Sequence, residues 1–157
     1  MRRFLILLVS LILVSTGVES AEFEWVDFKT GLEKAAGTKR LIVVDVYTDW
    51  CGWCTKLDKE VYSQEDIRDY LGEKFVAVKL NAEDKTTRIT YSGMDLNYAE
   101  LAAAYGVRSY PTTLFLMPDG TLLYGLRGFH PAERFLEALR YFGDGAYLKD
   151  LEKDKGE

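Results

Sequence analysis

This sequence predicts an α/β protein with a mixed central sheet and helices on both faces, and three observations carry that prediction. Arg40–Tyr47 (RLIVVDVY) and Phe75–Leu80 (FVAVKL) are nearly continuous apolar runs, which suits strands buried on both faces beside parallel neighbours. Stretches with apolar residues at helical spacing separate these runs. Further on, two more strands are joined by Pro118-Asp119-Gly120, a strong hairpin signal that makes part of the sheet antiparallel.

In chain order, Glu22–Val26 is expected as a short edge strand, and Asp27 as the cap of a helix over Phe28–Ala36 that Gly37 closes. The Arg40–Tyr47 strand runs straight into the only two cysteines. From Cys51 onward, Leu57 and Val61 are four apart and read as a helix whose first turn holds both thiols. Ser63, with Asp66 three residues on, restarts or continues the helix until Gly72. After Phe75–Leu80, Asn81–Leu96 is polar and irregular and is expected as the longest loop. Asn97 with Glu100 opens a helix that buries Tyr98, Leu101, Ala102 and Tyr105 and ends at Gly106. Strands are expected over Thr112–Met117 and Thr121–Leu126. Pro131 then stands at the start of a helix whose stripe is Phe135, Leu136, Leu139 and Phe142, closed by Gly143.

At 157 residues, 48% hydrophobic and 29% charged, the chain is long enough for one domain with a real core. A net charge of -5 without a basic cluster argues against nucleic acid as a partner. Residues 1–20 have the layout of a secretory signal peptide: Arg2-Arg3, the apolar run Phe4–Val14, then small and polar residues. Cleavage after Ser20 or after Gly17 suits the small-residue rule. The run is shorter than the ~20 residues of a spanning helix, and an uncleaved copy would anchor the chain in a membrane. The expected organisation is a signal peptide over 1–20, one domain over 21–143 and a charged, frayed tail over 144–157. Export places the chain in an extracytoplasmic space such as the periplasm, where disulfides persist.

Asp49-Trp50-Cys51-Gly52-Trp53-Cys54 is the candidate site. Two thiols at this spacing can close into a disulfide and reopen, exchanging two electrons. Cys51, at the helix N-terminus, meets unpaired N–H groups and the positive end of the helix dipole, which favour its thiolate and make it the attacking thiol. Cys54, one turn deeper, resolves the mixed disulfide. Two other duties compete. A zinc site needs about four ligands, and His130 is the remaining soft candidate. A structural disulfide would close a loop too small to restrict the unfolded chain much.

With these residues the sequence resembles the thioredoxin superfamily over about Val26 to Phe142. Trp-Cys-Gly-Trp-Cys is similar to the family's Trp-Cys-Gly-Pro-Cys, with Trp53 in place of proline. Asp45 matches the family's buried aspartate and Lys79 the lysine beside it. Tyr110-Pro111-Thr112 matches the cis-proline segment facing the cysteines, and Gly128 a glycine on the substrate rim. The resemblance implies a thioredoxin-like fold. It also implies a catalytic set of Cys51, Cys54, Asp45 and Lys79, with Trp50, Trp53, Tyr110, Pro111 and Gly128 contacting substrate. Charge in an apolar strand is costly, and service as proton acceptor for Cys54 would explain Asp45; a structural Asp45–Lys79 pair is the competing reading. Trp50 is expected to line the groove and Trp53 to be exposed, with His130 leading into the final helix. The 81–96 loop is expected on the active-site rim, shaping partner choice.

The function that follows is an exported thiol–disulfide oxidoreductase, with the reducing direction favoured and no cofactor beyond the Cys51–Cys54 disulfide. Its expected partners are protein disulfides or dithiols and a membrane electron donor, and it is expected to act as a monomer. The alternative is a copper-handling or assembly protein using the two thiolates as soft ligands, with Met94 or His130 assisting.

Overall fold

The computed structural model describes residues 23–154, so the signal peptide expected over 1–20 lies outside the described residues. Asp27 Oδ1 accepts from the Thr30 amide at 3.1 Å and starts α1, Phe28–Thr38. The helix passes through Gly37 and stops at Lys39, which takes the left-handed conformation (φ 60) that had been expected of the glycine. Ahead of it, the expected edge strand reduces to one parallel bridge between Val26 and Val78.

Strand β1 (Leu41–Tyr47) lies parallel to β2 (Phe75–Asn81), with α2 (Gly52–Leu57), a π-helical turn (Asp58–Tyr62) and α3 (Glu65–Lys74) between them in the chain. Ser63 does not cap α3, because its hydroxyl donates to the Lys59 carbonyl at 2.6 Å and so closes the preceding turn. Nor does Gly72 end α3; it is buried inside the helix, and its carbonyl accepts from the Arg40 guanidinium at 2.6 Å.

The 81–96 segment is more ordered than a loop. It holds β3 (Arg88–Tyr91) and β4 (Met94–Asn97), an antiparallel hairpin turned by Ser92 and Gly93, both at positive φ. Its strands escape a pattern search because most of their side chains are exposed and polar, leaving Ile89 as the buried residue of β3. Asn97 and Glu100 form the expected capping box of α4, Tyr98–Ala104. Strands β5 (Thr112–Leu116) and β6 (Leu122–Arg127) follow and complete a four-stranded sheet in the order β2-β1-β5-β6, both β1–β5 and β5–β6 being antiparallel.

Helix α5 covers Ala132–Gly143 and buries Phe135, Leu139 and Phe142, whereas Leu136 is only partly buried. In place of the frayed tail expected from residue 144, a short helix α6 runs over Tyr147–Asp154. Its charged composition hides an anchor: the Tyr147 ring is buried against Phe142, 5.6 Å between centroids.

Side-chain alternation along the strands divides the core in two. Ile42, Val44 and Val46 face α1 and α4, while Val43 and Phe115 face α2, α3 and α5. The α1 layer comes very close to the sheet at Gly31, where a Cβ would stand 2.3 Å from Val78 Cγ2. Gly31→Ala is therefore expected to destabilise the fold by about 1–3 kcal/mol, the usual range for overpacking. Urea unfolding measures this, and a variant as stable as the wild type would mean that α1 can shift outward at no cost.

Candidate active site

β1 delivers the chain to the site. Cys51 lies at the N-cap of α2, with its backbone N–H on the Thr48 carbonyl at 3.2 Å and its Sγ accepting from the Cys54 amide at 3.0 Å. The two cysteines form a disulfide with Cα atoms 5.2 Å apart, and both are buried.

Behind them, strand parity places Asp45 on the α2 side of the sheet. Register sets it between Lys79 on β2 and Thr113 on β5. Asp45 is 1% exposed, and its Oδ2 is 2.5 Å from Lys79 Nζ, while Oδ1 has no hydrogen-bond partner among the described residues. Lys79 Nζ also meets Asp58 Oδ1 at 2.5 Å, and the rings of Trp25, Tyr47 and Tyr62 surround it at 4.9 to 5.3 Å. Burial pushes the Asp45 carboxyl above its ordinary value, against the pull of Lys79. Lys79 is raised as well: burial acts against its charge, but Asp45 and Asp58 outweigh it. The two directions are compatible because Asp58, about half-exposed, keeps a partner on the ammonium when Asp45 takes a proton. Tyr62, wholly buried, is held well above its ordinary value by desolvation and then by Asp45.

On the open side, the Tyr110–Pro111 bond is cis, and the Pro111 carbonyl accepts from the Gly128 amide at 2.8 Å. Gly128 has φ 82, a conformation that a side chain would strain. Trp50 is the more exposed of the two tryptophans, at 70% against 57% for Trp53. It is nevertheless held in place. Glu83 accepts from its Nε1 and from the Asp49 amide, each at 3.0 Å, and its ring meets Tyr110 edge-on at 5.9 Å. Trp53 is not free either, lying against Phe129 at 5.6 Å with Lys56 Nζ over both rings. The sequence-expected residues thus fall into two groups, Asp45 and Lys79 behind the disulfide and Trp50, Trp53, Tyr110, Pro111 and Gly128 around it.

Asp58, Glu83, Trp25, Tyr62 and Phe129 escaped sequence reasoning. Asp58 alone had a readable signal, four residues after Cys54 on the same helical path. The β3–β4 hairpin does not crown the site as expected. Glu83 reaches the rim, but the Tyr91 hydroxyl donates to the Gly120 carbonyl at 2.8 Å. Gly120 follows the Leu116 end of β5, which pairs with Ile42 at the far end of β1. The hairpin therefore runs down the α1–α4 side, away from the cysteines.

The copper alternative gains no support. The His130 imidazole lies 3.1 Å from the Arg127 carbonyl, Met94 is exposed on β4, and no cluster of three or more His, Cys, Asp or Glu suited to a metal exists among the described residues. None of the described helices is long and apolar enough to cross a membrane.

Sheet order, cysteine pair and proline segment place the chain in the class of thioredoxin-fold proteins built on a disulfide-forming cysteine pair. It belongs to the thioredoxin-like domain family, whose profile matches residues 28–143. A thioredoxin structure from Thermus thermophilus superposes with a TM-score of 0.62 at 25% identity, covering 76% of this chain and 85% of that one. The disulfide bond reductase DsbH of Chlamydia pneumoniae is 23% identical over 115 residues, which is 73% of this chain and 68% of that protein. A protein disulfide-isomerase of Datisca glomerata is 25% identical over 78% of this chain, and the chain spans only 22% of its length.

Asp45 sets a pH dependence of stability. A carboxyl whose pKa rises on folding lets the folded state hold the proton longer, so stability falls as pH climbs upward from the ordinary value of 3.8. Asp45→Asn lacks that loss. Its stability relative to the oxidised wild type should therefore improve as pH climbs above the ordinary value of 3.8 in urea titrations. A difference that moves the opposite way would mean that Lys79, not burial, governs Asp45.

Proposed function

We propose that this chain is a thiol–disulfide oxidoreductase in which Cys51 attacks a protein disulfide and Cys54 resolves it, working in the reducing direction. The placement of Cys51 carries the reading. Its Sγ takes an amide hydrogen bond at the N-terminus of α2, the kind of contact that stabilises a thiolate.

In the reduced form, the Cys51 thiolate attacks one sulfur of the substrate disulfide. A mixed disulfide forms and the first substrate thiolate leaves. Cys54 then gives up its proton, attacks Cys51 Sγ and releases the second thiolate, so two electrons pass to the substrate and the Cys51–Cys54 disulfide remains. Asp45 is the proton acceptor for Cys54: its raised carboxyl and unpartnered Oδ1 suit a group that takes a proton and returns it. Lys79 keeps the ionised carboxylate tolerable in a buried site. Tyr110 offers backbone to an extended substrate strand, the Pro111–Gly128 hydrogen bond holds the rim beside it, and Trp50 and Trp53 flank it.

The Asp45–Lys79 pair supports the reducing direction, as does the likeness to a protein named a disulfide bond reductase. The signal-like residues 1–20 support work outside the cytosol. There the dithiol must be regenerated by a membrane-borne dithiol donor.

Cys54→Ala should trap substrate proteins on Cys51 as mixed disulfides that a reductant releases, seen as a mobility shift on non-reducing gels. If Cys51 captures nothing, and the wild type neither reduces nor forms disulfides in a model protein, the reading fails. Asp45→Asn should slow the resolving step on the order of 10²-fold and remove the limb of its pH profile in which rate rises as Asp45 ionises. Rapid-mixing kinetics of mixed-disulfide decay measure both, and an unchanged pH profile would remove Asp45 from the proton path.

A further inference from the structure

The structure assigns a charge preference to the reductase site: we propose that the groove beside Trp53 selects polypeptide substrates with an acidic side chain close to the disulfide. The inference rests on the oxidoreductase reading above and names the substrate class for that site.

Trp53 stands between the two cysteines and is 57% exposed, so whatever reaches Cys51 passes near its ring. The ring leans on Phe129, which directly follows Gly128 on the rim. Lys56 Nζ lies 5.0 Å from the Trp53 centroid and 4.9 Å from that of Phe129. From this cluster a groove of about 640 Å³ leads away from the cysteines, with Val61, Phe129 and Pro131 among its apolar walls and Lys56 and Lys59 on its rim.

The two lysines, one in the last turn of α2 and one in the π-helical turn that follows, both line this groove. Lys59 is exposed and has no carboxylate partner among the described residues. Glu60 reaches Lys56 only at 3.8 Å, beyond hydrogen-bonding distance. Two ammonium groups against one carboxylate, that of Glu60, along a groove of mixed polarity, on a chain of net charge -5, favour a partner segment that brings its own carboxylates. Phe129 both lines the groove and packs on Trp53, the residue before Cys54, so the occupant of the groove is the same polypeptide whose disulfide Cys51 attacks. A carboxylate entering there would displace Glu60 from Lys56 and meet Lys59, while an adjacent apolar side chain packs on Phe129.

The test uses pre-reduced protein and disulfide-bridged peptides of one sequence carrying Glu, Gln or Lys beside the cysteine, with the second-order rate of disulfide transfer read by stopped-flow tryptophan fluorescence. Rates should fall in the order Glu, Gln, Lys, spanning roughly fivefold at low ionic strength and narrowing at about 0.5 M salt. The double variant Lys56→Glu/Lys59→Glu should invert the order. Equal rates for the three peptides, or an order that survives the charge reversal, overturn the inference and leave the reductase reading standing. Failure to transfer a disulfide to any peptide overturns both.

Discussion

The Asp45–Lys79 contact is the interaction on which the site depends. A carboxylate in the middle of a β-sheet is tolerable only with a partner, and the parallel pairing of β1 with β2 brings that partner alongside. The same pairing requires a crossover between the two strands, and α2 with its two cysteines is the first element of that crossover. The buried charge and the disulfide are thus fixed by one topological decision. Asp58, carried on the same crossover, supplies the second carboxylate to Lys79. The rings of Trp25, Tyr47 and Tyr62 surround the ammonium, so a titratable group is buried without being abandoned.

Around the disulfide the structure is asymmetric. On one side Glu83 and Tyr110 hold Trp50 as a fixed wall despite its exposure. On the other, Trp53, Phe129 and Lys56 form a second wall, and Phe129 and Lys56 also line a neighbouring groove with Lys59 and Glu60. In the proposed function, a substrate strand approaching Cys51 passes two aromatic faces and one set of charges. On that proposal, position between the walls comes from shape, and preference for one peptide over another from charge at the rim.

Much of this was legible in the residues. The β-branched runs, the Asn97–Glu100 box and the Pro118–Gly120 turn each carry a local signal, and each element formed where that signal stood. Where sequence reasoning failed, a competing contact explains it. Ser63 had a nearer acceptor in the Lys59 carbonyl, and Lys39 rather than Gly37 took the left-handed position. Strands β3 and β4 are polar because they lie on the surface, so alternation could not reveal them. Tyr147 anchors a helix inside a segment whose average composition reads as solvent-exposed tail.

By itself the sequence determined the cysteine spacing, the strand that leads into it, and the likeness that attached Asp45, Lys79, Tyr110, Pro111 and Gly128 to one site. All of these rest on short-range patterns or on residues recognisable as a set. Only the tertiary structure decided that Lys79 is shared with Asp58, that Glu83 grips Trp50, and that Phe129 and Lys56 back Trp53. Glu83 and Trp50 are separated by 33 residues and Phe129 and Trp53 by far more of the chain. Such contacts leave no periodicity to read, because distance along the chain says nothing of distance in space until strands pair and helices pack.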